Sequence, residues 1–184
     1  MAQSDLQVQK MNKLSTRKPL TYLGALNQGD DKAAAQLVNA AVRKGDPSAM
    51  AALGIMHALG RGVDKDEMDA YAWLLQAANR GVPDAMVAVG ICLASGEGVH
   101  RNLSESAFWL HRAAKQGYLF GMGMLAWLCE RHPEIIGVHF SEDELSNLLV
   151  DYAKTKEGLT QRQRVRLDQL HHIPVSHPRK ASEK

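Results

Sequence analysis

A 36-residue period constrains this chain more than any other feature of its sequence. Gly45, Gly81 and Gly117 mark the same point in successive copies. When the copies are overlaid on these glycines, the columns agree. Ala49-Met50 falls on Ala85-Met86, Gly54 on Gly90, and Gly60, Gly62 and Val63 fall on Gly96, Gly98 and Val99. Trp73-Leu74 falls on Trp109-Leu110, and Ala77-Ala78 on Ala113-Ala114. A period of roughly 20–50 residues is the mark of stacked supersecondary units, each burying its apolar face against the next.

Each unit reads as two helices. Asp46-Pro47 supplies a side-chain acceptor and a proline suited to the first helical position, and Val82-Pro83 repeats the proline. The first helix runs to Gly60 or Gly96, where Gly-x-Gly-Val breaks it. Asp66 with Asp69, and Asn102 with Glu105, have the spacing of a capping box and open the second helix. That helix ends at Arg80-Gly81 and Gln116-Gly117.

The two helices differ in character. The second is amphipathic, with Tyr71, Trp73, Leu74, Ala77 and Ala78 facing inward and Trp73 and Trp109 expected in the core. The first is apolar nearly all round: from Ala49 to Leu59 only His57 is polar, and Ala85–Ala94 and Leu119–Cys129 carry no charge. Such a helix needs cover on every face.

Charge is uneven. Residues 1–18 carry four Lys/Arg against Asp5, and residues 154–184 carry eight against three acids, while the segment between is acidic. A basic tail on an acidic body is not a nucleic-acid footprint, which needs a basic face on the folded domain. Cys92 and Cys129 lie in apolar stretches without metal-ligand spacing and read as small buried thiols. Neither a signal-peptide core nor a run of about 20 apolar residues is present, so a cytoplasmic protein without membrane contact is expected.

The pattern Ala-x3-Leu-Gly, Gly-x-Gly-Val, Asp, Ala-x2-Trp-Leu-x2-Ala-Ala-x2-Gly resembles the Sel-one-like repeat, a relative of the tetratricopeptide repeat with a slightly longer loop and with bacterial members. It is carried by Ala49, Leu53, Gly54, Gly60, Gly62, Val63, Asp66, Ala70, Trp73, Ala77, Ala78 and Gly81. The resemblance implies an all-α fold, a right-handed α/α solenoid of antiparallel helix pairs. Residues 46–81 and 82–117 are the full repeats, and 17–45 and 118–156 are degenerate flanking units. In the last of these, Ala126 replaces the expected glycine. Ser141 with Glu144 caps a helix to about Lys156. Residues 160–172 are expected to form a basic capping helix, with residues 1–16 flexible and 174–184 a disordered basic tail.

What the resemblance implies for function is a non-enzymatic scaffold, an adaptor or regulator that binds a peptide or helix of another protein. In related repeats the first helix of each pair lines a concave groove. Here that places Ala51, Ile55 and Ala58 beside Val87, Ile91 and Ala94, followed by Phe120, Met124 and Trp127. An open apolar stripe of this kind marks a partner site; its alternatives are cover by the chain's own terminal helix or by a second copy. An antitoxin-like or immunity-type inhibitor is the alternative role. A cysteine-rich branch of the family acts on β-lactams, but it is secreted and disulfide-linked, and this chain has two cysteines and no leader. RNA reading needs polar and basic groups along the groove, and only the tail, with Arg162, Arg164 and Arg166, offers them.

No cofactor or metal site is expected. The eight histidines are scattered, His57, His100, His111, His132 and His139 occupy non-equivalent repeat positions, and His171, His172 and His177 sit near the terminus. Glu142-Asp143-Glu144 suits the first turn of a helix better than a catalytic pair. No nucleophile with a base is evident.

Overall fold

The computed structural model describes residues 22–158, with side chains at all of these but residues 23, 26 and 27. The expected terminal segments 1–16, 160–172 and 174–184 lie outside the described residues. The described chain is helical throughout: α1 (Tyr22–Asn27), α2 (Asp31–Val42), α3 (Pro47–Leu59), α4 (Glu67–Asn79), α5 (Pro83–Ser95), α6 (Leu103–Lys115), α7 (Leu119–Arg131) and α8 (Glu142–Glu157), with a 3₁₀ turn at Pro133–Ile135. Helices pair as α1/α2, α3/α4, α5/α6 and α7/α8, and each second helix packs against the first helix of the next unit.

The local signals act as the sequence predicts, with one difference. Asp46 accepts from the Ser48 and Ala49 N–H groups, Asp66 from Met68 and Asp69, and Asn102 from Glu105. Among the described residues the reciprocal arm of the capping box forms only at Ser141, whose N–H donates to Glu144 Oε2 at 3.2 Å. At the other two caps the backbone N–H is already committed: Asp66 donates to the His57 carbonyl at 3.1 Å and Asn102 to that of Leu93 at 2.8 Å. Those bonds fold the Gly-x-Gly-Val loop back onto the helix it leaves.

Successive units meet where there is no room for a side chain. A Cβ on Gly62 would overlap the carbonyl of Asp31, the first residue of α2, and a Cβ on Gly98 would overlap that of Glu67, the first residue of α4. Both glycines also take positive φ, +71° and +69°, a region that costs other L-residues about 1–2 kcal/mol. Within each pair, Gly54 and Gly90 do the same work for the two helices: a Cβ there would lie 2.7 Å from Leu74 Cγ and 2.8 Å from Leu110 Cγ. Ser106 adds a buried bond across the second pair, its hydroxyl donating to the Gly90 carbonyl at 2.6 Å.

The two tryptophans differ, contrary to the expectation that both are core. Trp109 is buried, whereas Trp73 is half-exposed and lies at the seam between the main core and a smaller one under α1 and α2. The cause is one turn of helix. Phe108 meets the Trp109 ring edge-on at 5.5 Å and the Arg112 guanidinium lies 4.8 Å over it; one period earlier these residues are Ala72 and Gln76, which offer Trp73 neither an aromatic edge nor a cation.

The last unit departs from the pattern. Glu134 stands where Gly62 and Gly98 stand, so the loop cannot lie on α6 in the same way. It packs through Ile135 and Phe140, both buried, and the Phe140 ring stacks on His111 at 4.9 Å. His111 is therefore a core residue. Its Nε2, like the Trp109 Nε1, is buried without a hydrogen-bond partner among the described residues.

Two outcomes follow from this packing. Gly98→Ala should lower stability well beyond Gly96→Ala, because Gly96 also has positive φ but leaves a Cβ 3.5 Å from its nearest neighbour; urea unfolding of the two variants checks this. Burial lowers the His111 pKa below its ordinary 6.5, with Lys115 and His139 reinforcing the shift and Glu144 opposing it. Stability from neutral His111 is therefore complete above about pH 6.5 and falls as pH drops through the lower folded-state value. His111→Phe should lose less melting temperature than the parent between pH 7.5 and pH 5, and an equal loss in both would contradict this assignment.

Candidate functional interface

The first helices α3, α5 and α7 are held in register by the 36-residue period, so equivalent side chains form a row across the units. Ile55, Ile91 and Trp127 are such a row. Ile55 is 44% exposed, and Ile91 and Trp127 are half-buried. The other predicted groove residues divide. Ala58 and Phe120 are half-buried, but Ala51, Val87, Ala94 and Met124 are inside. Those four are buried in the core, so the continuous stripe expected from the sequence contracts to a row with a packed floor. The Arg131 guanidinium lies 4.8 Å over the Trp127 ring and gives that end a positive rim.

Four exposed large apolar positions, Leu59, Met68, Val138 and Val150, were missed in the sequence. Leu59, one turn beyond Ile55, is 62% exposed and extends the row at its first unit. The signal was present, since Leu59 ends the helix next to Gly60, where no following turn can cover it. Met68, 71% exposed, stands with Tyr71 and Val99 in an open cleft between α4 and the loop after α5. Its setting among Glu67 and Asp69 suggested only a solvated helix face.

The chemistry around these surfaces is that of packing. Burial pushes the Cys92 and Cys129 thiols up to about 11, so both are protonated at neutral pH and poor nucleophiles. Tyr118 donates to the Asp84 carboxylate, and burial, then that bond, raise its phenol well above the ordinary range. His57 Nδ1 lies 3.2 Å from the Asp64 carbonyl and His132 Nδ1 3.1 Å from Glu134, so both serve their own loops. Glu144 caps α8, and its carboxyl is held below the usual carboxylate range by the Ser141 N–H. Among the described residues no three His, Cys, Asp or Glu side chains converge as metal ligands, and no helix is long and apolar enough to cross a membrane.

Comparison with known proteins places this geometry. The Sel1 repeat model matches residues 47–82 and 83–118, one residue later than the boundaries read from the glycines. Thirteen solved chains match the fold. A Sel1 repeat protein from Oxalobacter formigenes is 20% identical with a TM-score of 0.63, over 82% of this chain and 67% of that one. A protective antigen of uropathogenic Escherichia coli strains, displaying an SLR fold, is 26% identical with a TM-score of 0.59, over 67% of this chain. The match spans only 26% of that antigen. No curated protein sequence matches the chain. Sel1 repeats in general are non-catalytic modules for protein–protein interaction. The chain thus carries two Sel1 repeats, stacked in one helical array of the SLR type and flanked by further helix pairs.

Proposed function

We propose that the chain is a non-enzymatic adaptor or regulator that takes an apolar peptide or helix of another protein along the first-helix row. The observation that carries this reading is the repetition of a large apolar residue at one exposed or half-exposed position of three units, Ile55, Ile91 and Trp127, with Leu59 beside the first. A surface helix position needs no large apolar residue for folding, and a row of them one period apart offers a linear partner regularly spaced anchors. Covering such a side chain is worth about 1.5–3 kcal/mol when complete. The half-buried members have less left to gain, so the row supports modest affinity, with Trp127 as its strongest anchor. Ala51, Val87, Ala94 and Met124 serve as the rigid floor, and Ala58 and Phe120 as flanks.

The test compares charge introduced on the row with charge introduced in the core. Ile55→Glu and Ile91→Glu should keep the helical signal and a cooperative melt, while binding to any partner recovered with the parent protein falls at least tenfold. A carboxylate that is solvated in the free protein would be desolvated and unpaired in the complex. Trp109→Glu should unfold the chain. If Ile91→Glu unfolds it as completely, the row is ordinary interior. If both row variants bind as the parent does, the partner sits elsewhere.

A further inference from the structure

The step from one unit to the next is built three times in the described chain, and its middle copy differs from the other two. At the first step, Arg61 of the loop after α3 donates to the Asp31 carboxylate on α2, from Nε at 3.1 Å and Nη2 at 2.6 Å. At the third, the longer loop after α7 lies on α6. His139 Nε2 is 3.0 Å from Ser104 Oγ, and its ring is 5.4 Å from that of Phe108. At the second, between α4 and the loop after α5, there is an open cleft of about 890 Å³ lined in part by Lys65, Glu67, Met68, Tyr71, Val99 and His100.

The cleft owes its character to substitutions along the period. Met68 and Tyr71 stand where the first step has Lys32 and Ala35 and the third has Ser104 and Ala107. Both alanines are buried, whereas Tyr71 is half-buried and Met68 is 71% exposed. Glu67 and Glu97 occupy the places of Asp31 and Arg61. The middle step therefore keeps the carboxylate of the first-step ion pair and has a second carboxylate in place of its guanidinium. Asp69 adjoins Met68 on α4. Burial, then the Glu105 charge, raise the Tyr71 phenol above its ordinary 10. On the cationic side, Lys65 pairs with Glu67 at 3.1 Å, and Arg101 Nε donates to the Ala94 carbonyl at 2.9 Å. The balance of charge is negative around an apolar and aromatic floor.

We propose that this cleft docks a basic segment of a partner protein. It seats an arginine whose stem lies on Met68 and Val99 and whose guanidinium meets the Tyr71 ring and the Glu67 and Glu97 carboxylates. Charge selects this occupant, since an incoming arginine supplies what Arg61 supplies at the first step. Its aliphatic stem covers apolar surface, and its planar head suits both a carboxylate and an aromatic face. None of Ile55, Ile91 and Trp127 lines the cleft, and the inference does not rest on the partner reading of that row.

The probe is the capped peptide acetyl-Gly-Leu-Arg-Leu-Arg-Gly-amide, titrated into the full-length protein. The readout is the Met68 methyl resonance, identified by its loss in Met68→Leu. The peptide should move this resonance saturably. The same peptide with citrulline for arginine, alike in shape but uncharged, should bind at least roughly fivefold more weakly. Glu67→Gln should also weaken binding. Glu97→Arg, which restores the first-step pair, should abolish binding and keep the parent's melting temperature, while Ile55→Glu should bind as the parent does. Equal binding of the two peptides would overturn the proposal, because apolar contact alone would then account for it. An unmoved Met68 methyl in the parent would overturn it whatever else fills the cleft, the chain's own basic ends included. So would binding that is unchanged in Glu67→Gln, survives Glu97→Arg or is lost with Ile55→Glu. A methyl shift that follows protein concentration without peptide would assign the cleft to a second copy and overturn it equally.

Discussion

Everything in this solenoid depends on how closely the loop of one unit can lie on the helix start of the unit before it. At Gly62 over Asp31 and Gly98 over Glu67 the approach leaves no volume for even a methyl group. It fixes the offset between neighbouring pairs and therefore the alignment of all equivalent side chains. Charge contributes little to this joint. Arg61 reaches the Asp31 carboxylate at 2.6 Å across the first step, but the equivalent residues at the second step are Glu97 and Glu67, and Glu67 pairs with Lys65 of its own neighbourhood at 3.1 Å. These are exposed pairs, worth about 0–1 kcal/mol. The steric fit is common to both steps and the ion pair is not.

Within the frame set by these contacts, a small change of residue alters what each helix exposes. Phe108 and Arg112 close over Trp109, and Ala72 and Gln76 leave its counterpart Trp73 half-open. Ala126 stands where Gly54 and Gly90 allow close pairing, and Glu134 where a glycine would let the loop lie flat. The last unit accordingly closes by a different contact, Phe140 stacked on His111. That closure brings a titratable ring into the core, a cost the first full repeat avoids by having Leu75 at the corresponding place.

Much of this was legible in the residues. Helix starts at Asp46, Asp66, Asn102 and Ser141 and the stops at Gly60 and Gly96 follow from side-chain and backbone chemistry that acts within a few residues. The same holds for the close approach at Gly54 and Gly90, since a glycine repeated inside a helix costs about 1 kcal/mol against alanine and so requires a packing reason. The surface row was only partly legible. Ile55, Ile91 and Trp127 share a repeat position, but sequence alone could not separate them from Ala51, Val87, Ala94 and Met124, because a helix apolar on all sides carries no periodicity from which to read its open face.

The sequence by itself determined the period, the two-helix unit, the caps and the thiol character of the cysteines, because these depend on short-range geometry and on composition. The tertiary structure alone decided which apolar residues remain at the surface, that Trp73 is half-open, that His111 is interior, and that Leu59 and Met68 are uncovered. The physical reason is the same for each: exposure is set by the side chains of a neighbouring turn or unit, and those neighbours are assigned only when the units stack.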